Sequence, residues 1–78
     1  MDRRIAKRRP VSVLGHVVTR VRSVFCRVVD LSETGARLKS AQSDVIPDRF
    51  DLNVPSEGVQ RTGEVQWRNG RELGVRFR

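Results

Sequence analysis

Apolar and polar residues alternate in short runs along this chain, and this period of two is the feature that most restricts its fold. In residues 50–54 and 73–77, every second residue is a large apolar one. Such alternation is typical of a β-strand with one face on a core and the other in water. No segment has the periodicity of a long amphipathic helix. The pattern therefore predicts an all-β fold, with strands in residues 11–18, 24–29, 36–39, 50–54, 63–67 and 73–77.

Turn signals separate these runs at intervals of about ten residues, which favours a sandwich or barrel. Asn69 and Gly70 lie between two runs and predict a hairpin, because both residue types tolerate a positive φ. Residues 55–58 predict a second hairpin loop. Residues 32–35 predict a tight turn, with Gly35 in the left-handed region. Six strands connected in this way, each with one apolar face, should close around a common core.

The positive charge of the chain is concentrated at its N-terminus. The formal net charge is +7, from 16 Lys and Arg against 9 Asp and Glu, and residues 1–10 contain five of the basic residues but one acidic residue. So polar a terminal segment has little apolar surface to hold it on a core. We therefore divide the chain into a flexible basic arm, residues 1–10, and a barrel, residues 11–78. Such an arm implies an anionic partner.

Several classes of function lack the residues that they need. Cys26 is the only cysteine, so an internal disulfide and metal sites built on paired cysteines are excluded, and we expect it to be a small buried hydrophobe. His16 is the only histidine and has no nearby acidic or cysteine partner in the sequence. Neither a metal site nor a Ser-His-Asp site is expected, and the protein is not expected to be an enzyme.

The sequence also bears on localisation. No run approaches the roughly 20 apolar residues that span a bilayer. The basic start is not followed by the apolar segment of a signal peptide. We therefore expect that the protein does not associate with a membrane and that it is cytoplasmic.

Two short motifs carry the functional prediction. Arg4 and Arg8 form an RxxxR pattern in the basic arm, and Asp30, Ser32 and Gly35 form a DxSxxG pattern at the predicted turn. In this order, the two patterns resemble the signature of the PilZ family, RxxxR followed by [D/N]xSxxG. The ordered pair inside an all-β domain is far more specific than either pattern alone. The resemblance covers essentially the whole chain, because it continues in residues 36–38, 65–67 and 73–77.

The resemblance implies a six-stranded antiparallel barrel that binds cyclic di-GMP at its surface, as a receptor in bacterial second-messenger signalling. The guanidinium groups of Arg4 and Arg8 suit this ligand, because they can bind phosphate oxygens or the O6/N7 edge of guanine bidentately. Asp30 offers acceptors for the N1 and N2 donors of guanine, and Ser32 offers a hydroxyl. Gly35 lets the turn approach closely. We expect the arm to become ordered over the ligand.

Further residues are secondary candidates. Arg3 precedes the first motif, at a position that in this family, when basic, is associated with binding two stacked ligand molecules. Arg9 and Arg37 are expected to be auxiliary phosphate contacts. Trp67 lies at the end of a predicted strand, and we expect it to fill the core and not to stack on a base. No cofactor is expected besides the ligand, cyclic di-GMP.

Two other functions are compatible with the sequence. The basic charge would suit a barrel that binds nucleic acid without specificity, but one Trp, three Phe and no Tyr provide few platforms for stacking, so specific nucleic-acid binding is not expected. A degenerate PilZ module could instead bind only another protein, although the intact motifs argue against this. Because the chain ends at Arg78, directly after the last predicted strand, we expect the signal to pass to an unidentified protein partner.

Overall fold

The computed structural model describes residues 9–78, so Arg3, Arg4 and Arg8 lie outside the described residues. The division into an arm and a barrel at residue 10 therefore stays a prediction. The first strand, β1, begins at Arg9, two residues earlier than predicted. The strands are β1 Arg9–Val18, β2 Ser23–Leu31, β3 Gly35–Lys39, β4 Arg49–Val54, β5 Val59–Asn69 and β6 Glu72–Phe77. Two short 3-10 turns, Ser43–Val45 and Pro55–Glu57, precede β4 and β5.

The six strands form one closed barrel in the order β1-β2-β3-β6-β5-β4. Every neighbouring pair is antiparallel. Closure comes from the pairing of His16–Val18 at the end of β1 with Asp51–Asn53 in β4. The predicted all-β fold and the six-stranded antiparallel barrel are both confirmed. Within residues 9–78, no helix has the length and apolar character needed to cross a lipid bilayer.

The barrel interior is filled by aliphatic side chains from the inward positions of the strands. Burial of each such side chain contributes about 1.5–3 kcal/mol. Cys26 belongs to this core as predicted, and its burial raises the pKa of the thiol to about 11. The most fully buried side chains are those of Val17, Val24, Val28, Leu38, Ile46, Leu52, Val54 and Leu73.

Two glycines show how the turns differ from the prediction. Asn69 pairs with Glu72, so the β5–β6 hairpin turns at Gly70 and Arg71. Gly70 has a φ of 62°, whereas no other residue type has a positive φ within residues 9–78, which is the pattern of a type II′ turn. Gly35 is not among the glycines with positive φ, so its predicted left-handed conformation is wrong. Glycine is needed there because a Cβ would overlap the carbonyl oxygen of Val75.

The strand pairing has three register shifts within residues 9–78, and the two in β2 and β5 are β-bulges that determine which side chains reach the outer surface. The β2–β3 register shifts between Val28 and Asp30, and the β5–β6 register shifts between Val65 and Trp67. One extra residue in a strand reverses its inward and outward positions from there on. Val28 and Val65 pack with the core. The residues two positions later, Asp30 and Trp67, therefore point outward.

Candidate ligand-binding site

Four residues form a row on the outer surface, across four neighbouring strands. Asp30 on β2 pairs with Arg37 on β3, Arg37 pairs with Gly74 on β6, and Gly74 pairs with Trp67 on β5. Neighbouring strands lie about 4.8 Å apart, so the row is about 14 Å long. It lines a surface cleft of about 410 Å³. We call these four residues the outer row.

Trp67 forms one wall of this cleft and is not in the core. Its side chain is 43% exposed, so the expectation that it fills the barrel is wrong. The five-membered ring of the indole lies against Gly74, where a Cβ would overlap Nε1. The sequence contained one signal for this arrangement, because the alternation of residues 73–77 already placed Gly74 on the outer face. A glycine between outward positions leaves room for a neighbouring aromatic ring.

Asp30 and Arg37 form an ion pair at the other end of the row. Arg37 Nε lies 3.0 Å from Asp30 Oδ2, and Arg37 Nη1 lies 3.7 Å from Glu72 Oε1. The Nε contact is an ion pair without a hydrogen bond, because Nε has no hydrogen-bond partner among residues 9–78. Asp30 is thus held by charge while its oxygens can still accept hydrogen bonds from a ligand.

Ser32 shapes the turn that follows β2. Its Oγ accepts hydrogen bonds from the backbone N–H groups of Thr34 and Gly35, both at 3.2 Å. The backbone N–H of Ser32 donates to the carbonyl of Gly35 at 2.9 Å. The hydroxyl is therefore first a turn cap. Ser32, Thr34 and Gly35 all line the cleft, so the turn forms one of its sides.

The N-terminal end of β1 lies beside this turn. Arg9 pairs with Leu31, and Pro10 pairs with Asp30. The described part of the chain therefore begins beside the second motif, whereas Arg4 and Arg8 of the first motif lie outside the described residues.

The remaining arginines differ in whether they line the cleft and whether they are held in ion pairs. Arg37 belongs to the outer row. The Arg9 guanidinium lies 2.8 Å from Glu57 Oε1, so this pair would have to open before Arg9 contacted a phosphate, and its role stays a prediction. Arg76 lines the cleft, pairs with Gly35 in register and forms no ion pair within residues 9–78. The sequence placed Arg76 on the outer face of its strand, but nothing in the sequence identified it as a site residue.

The chemistry of the cleft is therefore that of a binding site with mixed charge. It combines a carboxylate, two guanidinium groups and an indole, together with the amide side chain of Gln66. No group of three or more metal-ligating side chains occurs in the part of the chain that the structure describes. Such a set can bind a ligand that has both hydrogen-bond donors and negative charge and that presents a flat ring.

Comparison with known proteins agrees with the sequence motifs. The chain matches the family described as the PilZ domain over residues 2–78, which include both motifs and all six strands. A search of curated proteins gave no match. PilZ domains are binding and adaptor modules that bind cyclic di-GMP and act through protein partners. On this match, and with the closed barrel that accompanies it, the chain belongs to the PilZ domain family.

Proposed function

We propose that this protein is a receptor for cyclic di-GMP that binds the dinucleotide in the cleft over the outer row. The observation that carries the proposal is the pairing of Arg9 with Leu31 and of Pro10 with Asp30. This pairing connects the segment that contains RxxxR directly to the turn that contains DxSxxG. Had the two motifs been at opposite ends of the barrel, one ligand could not have contacted both.

The groups around the cleft match the chemistry of the dinucleotide. The oxygens of Asp30 accept from N1 and N2 of one guanine, and the indole of Trp67 provides a face on which a purine can stack. Arg37 and Arg76 provide cations for the phosphates. The cleft volume of about 410 Å³ falls within the usual range for small-molecule sites.

The first motif completes the site from the N-terminal side. Arg4 and Arg8 bind a phosphate and the O6/N7 edge of a guanine, and residues 1–8 become ordered on the bound ligand. The Ser32 hydroxyl, which donates a hydrogen bond to the carbonyl of Gly35 at 3.3 Å, donates to the ligand instead when the ligand is bound. Arg3 contacts a second ligand molecule, if two molecules stack. The ordered segment then presents a new surface to a partner protein.

Isothermal titration calorimetry with cyclic di-GMP tests the proposal. Wild type binds, Arg8→Ala and Asp30→Ala each weaken binding by about tenfold or more, and circular dichroism shows an unchanged barrel. Arg20→Ala is the matched control, because it removes one exposed arginine from the hairpin between β1 and β2, away from the cleft, and leaves the affinity unchanged.

Three ligands separate the alternatives. Cyclic di-AMP and GTP give little heat, because neither presents two guanines on a cyclic dinucleotide. Single-stranded DNA does not displace the dinucleotide at physiological salt, where binding by charge alone is weak. No heat from cyclic di-GMP with folded wild type would contradict the proposal, and displacement by DNA would favour the nucleic-acid alternative.

A further inference from the structure

A second concave surface lies at the other end of the barrel, beside the hairpin that connects β1 to β2. It has a volume of about 920 Å³, and we call it the hairpin groove. Along β2, Ser23 at this hairpin lies seven positions before Asp30 of the outer row, a distance of about 23 Å for an extended strand. A molecule in the hairpin groove would therefore not touch one in the cleft. The apolar residues of the groove are Val18, Val21, Val45, Pro47 and Phe50.

The apolar character continues from the groove onto the outer face of the first two strands. Phe25 is 64% exposed, and Leu14 and Val18 are exposed on the same face of the barrel. The ring of Phe25 packs on His16, with 4.9 Å between ring centroids, two residues before Val18. Val18 thus belongs to both the groove and this strip. Contiguous exposed apolar surface of this kind typically marks an interaction site.

The hairpin turn holds one apolar side chain in water. Val21 is 83% exposed, although turns favour Gly, Asn, Asp and Ser. The turn is well hydrogen-bonded, because Thr19 N–H donates to the carbonyl of Arg22 at 2.9 Å and Thr19 Oγ1 accepts from Arg22 N–H at 3.1 Å. So exposed a side chain buries little apolar area within the isolated fold. Such local conflicts are expected at functional surfaces.

The rim of the groove is basic. Arg20, Arg22 and Arg49 line it, whereas Asp51 is the one acidic residue that does so. Arg49 is already paired with Glu64 at 2.6 Å. Neither Arg20 nor Arg22 forms an ion pair with any residue of the range 9–78. An apolar centre with a charged rim is the usual anatomy of a protein interface, and arginine is enriched there.

We propose that the hairpin groove binds an acidic, amphipathic segment of a partner protein. A large apolar side chain of the partner fills the groove against Val21, Val45 and Pro47. Carboxylates of the partner lie over Arg20 and Arg22. The inference does not depend on nucleotide binding, because the two surfaces share no residue.

Charge and shape select this occupant over two others. A second copy of the chain would bring another basic rim and a net charge of +7 to the same place, and like charges in contact oppose association. A lipid surface could accept Val21 between two arginines, but it could not fill a recess whose walls include Val45 and Pro47. A protruding side chain flanked by carboxylates complements both the shape and the charge.

Selection from a random peptide library displayed on phage, with the full chain immobilised, tests the proposal. Phage that also bind Val21→Asp are removed at each round. The selected peptides combine Asp or Glu with Leu, Ile, Phe or Trp. Synthetic copies bind wild type and lose about tenfold or more in affinity on Val21→Asp and on the double variant Arg20→Glu/Arg22→Glu.

Two controls keep the result interpretable. Ser56→Asp adds the same charge on the exposed turn before β5 and leaves peptide affinity unchanged. Val21→Asp and Ser56→Asp keep the wild-type circular dichroism spectrum and the wild-type response to cyclic di-GMP. The peptide measurement itself needs no cyclic di-GMP, so a failure of the receptor proposal would leave it intact.

Other outcomes would overturn the proposal. Selected peptides without acidic residues, or peptides that bind the double variant Arg20→Glu/Arg22→Glu as tightly as wild type, would contradict the proposal. Binding to phosphatidylglycerol vesicles that Val21→Asp abolishes, without selection of acidic peptides, would identify a lipid surface instead. Self-association in sedimentation that Val21→Asp abolishes would identify a second copy.

Discussion

Arg37 Nε lies 3.0 Å from Asp30 Oδ2, and the two residues face each other across β2 and β3. The pair lies in the candidate cleft. In the proposed complex, Asp30 would accept hydrogen bonds from guanine and Arg37 would bind phosphate. Without ligand, each side chain keeps the other in place and offsets its charge. The pair therefore prepares the cleft for a ligand that brings both kinds of group.

We expect Arg37→Ala to weaken cyclic di-GMP binding by about tenfold, because a charge-assisted contact to phosphate is lost. The free energy of unfolding should change by only about 0–1 kcal/mol, since the ion pair is partly exposed. Calorimetry and urea unfolding measure the two quantities. Lys39→Ala is the matched control, because Lys39 also pairs with Glu72 but does not line the cleft. Equal affinities for the two variants would contradict a role for Arg37.

The only tryptophan of the chain reports directly on the cleft. Fluorescence of Trp67 should change on titration with cyclic di-GMP and should not change with GTP. Trp67→Ala should lose about 1–3 kcal/mol of binding free energy, the usual contribution of one stacked base, and Trp67→Phe should keep part of it. An unchanged emission spectrum at saturating ligand, measured together with heat in calorimetry, would place the ligand elsewhere.

Gly35→Ala should reduce both stability and ligand affinity. A Cβ at this position overlaps the backbone of Val75, which cannot move without disturbing the β3–β6 pairing, so we expect a loss of about 1–3 kcal/mol in the free energy of unfolding. The turn at Ser32 should shift with it. Gly58→Ala provides the comparison, because Gly58 has a φ of 67° but no atom within 4 Å of the added Cβ. That variant should lose stability through strain alone, by about 1–2 kcal/mol, and keep its affinity. Equal losses of affinity in the two variants would exclude a specific role for the turn.

Cys26 should be unreactive in the folded protein. Its pKa is raised to about 11 by burial, so almost no thiolate is present at neutral pH. Iodoacetamide should therefore modify the native protein much more slowly than the protein unfolded in guanidinium chloride. Rapid modification under native conditions would show that this part of the barrel opens readily.

The same pKa has a consequence for stability at high pH. A thiol ionises near about 8.5 in an unfolded chain, below its value in the barrel. Between these two pH values the thiol ionises in the unfolded chain but not in the barrel, which favours unfolding. The stability contributed by the buried thiol is therefore complete below a pH of about 8.5 and is lost as the pH rises toward about 11. Urea unfolding should show a smaller decline of stability over this interval in Cys26→Ala than in wild type. An equal decline of the free energy of unfolding in wild type and Cys26→Ala would show that ionisation of the buried thiol does not cause the decline.

The strands that the sequence predicted best are those without a bulge. Residues 50–54 keep one register with β5, and Phe50, Leu52 and Val54 are buried as the alternation predicts. Trp67 could not be placed in this way, because the bulge after Val65 depends on how β5 pairs with β6. The position of a bulge within a hairpin leaves no sign in the apolar alternation of either strand.

In the candidate site too, some features were predictable from the sequence and others depend on strand pairing. The motif residues Asp30, Ser32 and Gly35 line one cleft, and their types were sufficient to identify them as candidates. The reason for glycine at position 35 was not accessible, because the close approach of β6 is a property of the fold. Arg76 was placed on the correct face of its strand, but only the register with Gly35 brings it to the cleft.

The bulges in β2 and β5 make the cleft depend on how its strands pair as much as on the residues in them. Residues two positions apart in a regular strand point to the same side, so β2 paired without its bulge would turn Asp30 toward the aliphatic interior, and a regular β5 would turn Trp67 inward. Substitutions can retune this surface gradually, whereas a change in strand pairing would remove it in a single event. In related chains, retention of the residue types alone is therefore a weaker sign of ligand binding than retention of both bulges with them.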